Sequence, residues 1–365
     1  MKTIKKLILF IILVFPTASW AEEEESQFLS GKIGMESGVF QPPQDSAYPY
    51  VYSRLVLESH PGMTEGLSLG LEVQANAQAS GTNMPPSEPE APSKNIVSLQ
   101  WETMDAEDSL ESGQMEVDQL NLHWATGPLD LKLGLFKPDW GSSFFYRPTD
   151  YFFPIQPLVW LKGEPSGSEG ADAACFLFDD LNLEGAVRWL EGGTAEGVFR
   201  LTQKGIGLTI TPSIAWMDKQ NELGLEIMGT FPTFQIRFEG VDRLYPDGHT
   251  AQDWNFGVST LRYGVKYTAE VLRDGTGEIL ADDLNDTPGT YLFISAEGTL
   301  TPEWKISPAV VGSLEGGPIL FWPKINWAFA ASWEVGIQAQ LPLGEGVGPL
   351  EKVPGRAGLS LAYIL

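Results

Sequence analysis

Between Trp140 and Trp160 the chain carries Phe144, Phe145, Tyr146, Tyr151, Phe152 and Phe153, with Arg147 and Asp150 set among them. So many rings cannot stay in water and must pack against something. Three kinds of chemistry fit them. The stretch can fold into a pore and narrow it, with Arg147 and Asp150 facing a permeant. It can offer ring faces as a slide for an apolar or sugar-like compound. It can also cap a wall, or sit among lipid headgroups as an aromatic girdle. Trp140, Phe144, Phe145, Tyr146, Arg147, Asp150 and Tyr151 are the candidates in all three cases.

A second set is charged and spread along the chain. Arg54, Glu58, Glu72, Asp130, Lys132, Glu184, Arg188, Glu226, Arg237, Glu239, Arg262, Lys266, Glu270 and Glu334 lie in phase on alternating segments. Mixed charges on one strand face cannot meet hydrocarbon, where each would cost roughly 2–4 kcal/mol at mid-depth. They fit a wet channel or a salt-bridged interior, so they are expected to face a lumen. His123 joins them beside Gln119 and Asn121, as a hydrogen-bonding group rather than a metal ligand. His60 and His249 stand on other segments, and Cys175 is the single cysteine. H-E-x-x-H and P-loop patterns are missing. Asp282, Asp283 and Asp286 lack the spacing of an EF-hand. Neither an enzyme nor a bound cofactor or metal is expected.

Strands must position these groups. Leu67, Leu69, Leu71 and Val73 interleave with Ser68, Gly70, Glu72 and Gln74. Phe234, Ile236 and Phe238 interleave with Gln235, Arg237 and Glu239, and Val335, Ile337 and Ala339 with Gly336, Gln338 and Gln340. Period two gives each strand one apolar and one polar face. Tight turn signals such as Thr126-Gly127-Pro128, Asp179-Asp180 and Lys204-Gly205 alternate with longer polar stretches. The longer stretches are Gln78–Lys94, Lys137–Gly170, Tyr245–Asp253, Asp274–Gly289 and Gly344–Pro354. Short turns at one end and long loops at the other predict an all-β fold, a transmembrane antiparallel β-barrel. A soluble β-sandwich also alternates, but its loops need not sort by end. The count is about 18 strands, even as a single-chain barrel requires, and a short strand at 254–260 leaves 16 open. Asn95–Trp101 alternates too and is assigned to the third loop.

The chain opens with Lys2, Lys5 and Lys6, an apolar run from Leu7 to Phe15, and small residues at Ser19 and Ala21. Residues 1–21 are therefore expected to be a signal peptide cleaved after Ala21. An acidic tail at 22–28 follows, then a single barrel over 29–365 with the aromatic loop at 137–170. Losing the three lysines takes the formal charge from −25 to −28. Such a balance excludes nucleic acid as a partner. Hydrophobic residues at 43% exclude a disordered acidic chain.

The run from Leu133 to Pro154, with Trp140-Gly141 and Pro148-Thr149-Asp150 after a strand ending Leu135-Phe136, resembles porin-like outer-membrane proteins of Gram-negative bacteria. The last strand, with Ala357, Leu359, Leu361, Tyr363 and Leu365 on one face, resembles their C-terminal signature, which commonly ends in Phe or Trp. The resemblance implies an outer-membrane location, diffusion of small hydrophilic solutes or ions, and recognition of that strand by the barrel assembly machinery. Contact with outer-membrane lipid and a homo-oligomer follow as expectations of the same kind. The excess of acid adds an expected weak preference for cations. The alternative is a barrel that moves an apolar or sugar-like compound along the aromatic loop, or a structural barrel that does not conduct.

Changing Tyr363 and Leu365 together to Asp should abolish membrane insertion, seen as loss of the form that changes gel mobility on boiling. Normal amounts of that form would remove the case for a recognition strand.

Overall fold

The computed structural model describes residues 30–41, 48–59, 62–64, 67–80, 98–104, 110–138, 140–152, 168–190, 193–276, 288–344, 350, 353 and 355–364. The expected signal peptide, the acidic tail, His60, Asn95–Val97, Phe153, Trp160, Asp282, Asp283, Asp286 and Leu365 lie outside them. Every regular element among them is a β-strand. In chain order these are β1 (Ser30–Gln41), β2 (Tyr48–Ser59), β3 (Gly62–Thr64), β4 (Leu67–Ser80), β5 (Ser98–Met104), β6 (Leu110–Thr126), β7 (Leu129–Phe136) and β8 (Ser168–Phe178). There follow β9 (Leu181–Trp189), β10 (Ala195–Lys204), β11 (Leu208–Trp216), β12 (Asn221–Thr230), β13 (Phe234–Leu244), β14 (Thr250–Arg262) and β15 (Val265–Asp274). The last are β16 (Gly289–Thr301), β17 (Trp304–Ile306), β18 (Ala309–Ser313), β19 (Ile319–Trp322), β20 (Lys324–Ala330), β21 (Trp333–Leu343) and β22 (Gly355–Ile364).

The pairings close on themselves. β1 bonds to β2 on one side and to β22 on the other, both antiparallel. From β2 the ladder passes to β4, β6 and β7, then strand by strand to β16. β16 pairs with both β17 and β18, and β21 with both β19 and β20. Each couple is thus one strand interrupted, at Pro308 and at Pro323, because proline has no N–H for the ladder. β3 folds back on β4, and β5 lies along residues 110–116 of β6, beyond the part that pairs with β7. Among the described residues the circuit therefore holds 18 strands, which settles the count left open between 18 and 16.

Connections at one end are tight, as at residues 127–128, 179–180 and 263–264. Tyr263 (φ 53°) and Gly264 (φ 76°) form a two-residue hairpin there, whose left-handed backbone suits the strand twist. The opposite end is less uniform than expected. Residues 137–167 and 275–288 are long connections, but 190–194, 217–220, 245–249 and 314–318 are short. The expected loop Tyr245–Asp253 shrinks because Thr250–Asp253 already pair with β13, which makes the short 254–260 strand a 13-residue one.

Alternation sorts the two faces. On β11, Leu208, Ile210, Ile214 and Trp216 are exposed while Thr211, Ser213 and Ala215 are buried. Exposed apolar side chains inside a closed circuit would leave its polar ones outside, so the exposed set faces outward, to lipid. Near the tight turns the outer face carries a run of touching rings. Trp304 stacks on Trp327 at 5.4 Å, then come Phe329, Trp333 and Tyr363. Trp189 and Trp216 stand exposed at the opposite end. Two aromatic belts mark the two interfaces of a membrane.

Phe256 lies on this outer face, in the middle of β14. Phe256→Arg should cost about 2–4 kcal/mol at mid-depth and reduce the inserted, heat-modifiable fraction. Unaltered insertion would show that this face does not meet hydrocarbon.

Candidate functional site

After Phe136 the chain turns into the barrel. Rings and backbone of residues 140–152 then lie against the inner faces of β9 to β16. Trp140, Tyr151 and Phe152 sink among Ala186, Val198, Ala215 and Val241, small side chains at inward positions of β9, β10, β11 and β13. Phe145 and Tyr146 pack with Leu272, Tyr291, Phe293, Val311 and Leu320, joined by Leu350 and Val353 from the last loop. Gly224 makes room for Tyr151, since a Cβ there would stand 1.8 Å from the phenol oxygen. That phenol and the Ser213 hydroxyl share a 2.6 Å hydrogen bond, and burial pushes its pKa up to about 12, so it stays neutral.

Two inward carboxylates hold the backbone. Glu239 accepts from the Ser142 and Ser143 N–H groups at 2.6 and 2.5 Å and from the Thr149 hydroxyl at 2.8 Å. Glu270 accepts from the Phe144 and Phe145 N–H groups at 2.7 and 2.9 Å. Asn255 donates to the Tyr146 carbonyl, and Tyr146 donates to Asp253. Trp140 donates to Glu184 at 2.8 Å, while Arg188 and Arg237 donate to the carbonyls of Phe152 and Ser142. Hydrogen bonds to charged groups contribute about 1.5–3 kcal/mol each.

The expected residues now have places. Trp140, Phe145, Tyr146, Asp150 and Tyr151 are buried, so Asp150 faces protein rather than a permeant. Phe144 is 40% exposed, with the Lys266 ammonium 3.8 Å and the Arg237 guanidinium 5.2 Å from its ring. Arg147 is half-buried, and its Nε donates to the Ser143 carbonyl. Arg188 pairs with Glu196 at 2.5 Å, and Glu226 with Arg200 at 2.8 Å. His123 and Asp130 meet at 2.8 Å, with Lys132 on the same inward face. Glu334 lies opposite Ala362, on the inward parity of β21. Glu58 stands opposite Glu72 and Arg54 opposite Asn76 in register, but their side chains lie outside the described ones. Arg262 is a correction to the lumen set. It shares parity with outward Phe256 and sits exposed at the turn with its guanidinium over Tyr263.

Several participants went unread in the sequence. Arg200 and Arg243 are in phase on strands already recognised, and Arg243 pairs with both Glu222 and Asp253. Ala186, Val198 and Ala215 at inward positions were the available sign of a ring seated opposite. Among the described residues no three His, Cys, Asp or Glu side chains group as metal ligands.

An antiparallel circuit with an apolar outer band, two aromatic belts and an inward loop has the fold of porin-type β-barrels. The same fold occurs in the Occ/Opd outer-membrane channels. OccAB3 of Acinetobacter baumannii aligns over 92% of this chain and 99% of its own, at a TM-score of 0.60 and 10% identity. OccK5 (OpdH) of Pseudomonas aeruginosa gives 92% and 98%, a TM-score of 0.59 and 10% identity. OccK2 (OpdF) of the same organism, solved in complex with glucuronate, gives 92% and 98%, 0.60 and 9%. At this identity the likeness is one of fold. No family model matches the chain, and no curated protein matches it by sequence.

Glu239→Ala should free the Ser142–Ser143 turn and leave its N–H groups without acceptors. In a bilayer recording the variant should conduct more, or flicker, relative to wild type. Deleting Ser142–Pro157 should raise conductance further, and steady wild-type currents from both would show that the turn does not narrow the pore.

Proposed function

We propose that the protein is an outer-membrane channel for passive diffusion of small hydrophilic solutes or ions, with no enzymatic activity. The observation that carries this reading is the loop folded against the inner wall of a closed barrel whose interior is charged and polar. Glucuronate, found in one channel of the same fold, is a solute of the expected size and polarity. An aromatic slide fits less well, because only Phe144 among the candidate rings keeps a large exposed face. Residues 1–21 act as the export signal in this reading, and β22 addresses the chain to the assembly machinery. A homo-oligomer fits as well.

Weak cation preference belongs to the mouth rather than to the interior. Inside, Glu196, Glu226, Glu222 and Asp253 are each paired with an arginine, so they add little net field. At the loop end Asp218, Asp247 and Glu315 stay exposed. The backbone N–H of His249 holds the Asp247 carboxyl below its ordinary range, so it remains charged as the pH falls toward the usual carboxylate values. These acids concentrate cations near the entrance, within a Debye length of about 8 Å at physiological salt.

Purified protein in a planar bilayer should give discrete conductance steps, and proteoliposomes should swell in small sugars. The reversal potential in a salt gradient should favour cations at low salt and approach zero preference at high salt. Anion preference would refute the mouth argument, and absence of any conductance would leave a structural barrel.

A further inference from the structure

We infer that the passage runs along the wall of β4, β6 and β7, and that Lys132 and His123 on that wall line the solute path and tune from inside the preference that the mouth sets. This rests on the channel reading above. The inward loop does not sit centrally. Its polar anchors fall on β9, β11, β13, β14 and β15, and its rings reach on to β16, β18 and β19. Among the described residues none of these contacts falls on β4 or β6. Among the described residues the covered half of the wall is filled, and the open side is the opposite one.

Exposure of the inward charges agrees. Under the loop Glu239 is 0% exposed, Glu270 1% and Arg237 5%. On the β6–β7 wall the side chains of His123 and Asp130 are 32% and 34% exposed. Inside a closed barrel such exposure can only be to water, because lipid lies behind the other face. A cavity of about 140 Å³ opens there, lined by Ser68, Gln119, Asn121, His123, Lys132 and Phe136 among others. Apart from Gly70 and Phe136 its lining carries hydroxyl, amide, imidazole and ammonium groups, the kind that exchange hydrogen bonds with a hydrated solute as it passes.

Two lysines, Lys132 and Lys137, line this cavity. Asp130 is engaged by His123 at 2.8 Å, and Ser68 stands 3.4 Å from the other ring nitrogen. Lys132 stands opposite Asp172 across the β7–β8 pair, and its charge acts on that carboxylate. Lys132 is a cation that a permeant meets there, with Lys137 on the same cavity, and reversing it should make the local field more negative.

The experiment places single cysteines in a Cys175→Ser background, which is permissible because Cys175 pairs in register with outward Leu129. Lys132→Cys should react with an anionic methanethiosulfonate added to the bath, lose conductance, and shift its reversal potential toward cations. Ser259→Cys, on the covered wall and 4% exposed, should stay unlabelled by mass spectrometry. Lys132→Glu should reproduce the shift without reagent. A wild-type barrel that never conducts overturns the channel reading and the route with it. A conducting barrel in which Lys132→Cys stays unlabelled, or labels with no change in current, overturns the route alone.

Discussion

Backbone N–H groups carried into a barrel must find acceptors there, and this requirement organises the interior. Each unpaired buried N–H costs about as much as a lost hydrogen bond, and the stretch from Ser142 to Phe145 brings four in succession. Two carboxylates, on β13 and β15 with β14 between them, answer them. The exchange is mutual, because a buried carboxylate without donors would itself be untenable. Glu239 and Glu270 are thus spent on holding the loop. They take no part in lining a pore, although their strand positions alone would assign them to it. Arg237, donating to the Ser142 carbonyl, completes the same clamp from the other polarity.

How far the sequence could be read depends on which force set each feature. Closure, strand number and the outward faces come from alternation, a local signal repeated along every strand, and a one-residue slip would move a whole apolar face inward. Where the alternation fails, so does the reading. On β15 to β19 the inward positions Leu272, Phe293, Val311 and Leu320 are apolar as well, because they seat the rings of the loop. No sequence period reports a partner that arrives from far along the chain. Arg262 shows the limit at strand ends, where parity decides the face and the last residues pass into a turn. The shortened Tyr245–Asp253 loop has the same origin, since polar Gln252 and Asp253 read as loop while their backbone continues the ladder.

The interior charges divide by neighbour rather than by sign. Arginines on β9, β10 and β13 find carboxylates one strand away, and Arg188 and Arg200 also lie over Phe152 and Trp140 at 4.8 and 5.3 Å. Guanidinium serves both purposes at once, as a planar fork for carboxylate and a weakly hydrated face for a ring. The loop therefore rests on paired charges as well as on the apolar side chains beneath its rings. On the β6–β7 wall the His123 and Asp130 side chains keep about a third of their surface in water.

The same division explains how a barrel can keep its shape at about 10% identity to channels of known structure. The outer face asks only for apolar side chains at alternate positions and rings near two planes, a condition that very many sequences meet. The ladder asks for backbone alone. What is left to distinguish one barrel from another is the inner face, and there a single inward loop has to match the wall it rests on, ring against small residue and N–H against carboxylate. Among the described residues the loop rests on β9 to β16 and not on β4 or β6, so on the channel reading the choice of which strands carry the small residues and the acids also chooses where solute can pass. Selectivity in such a barrel is thereby fixed by packing on the side opposite the path.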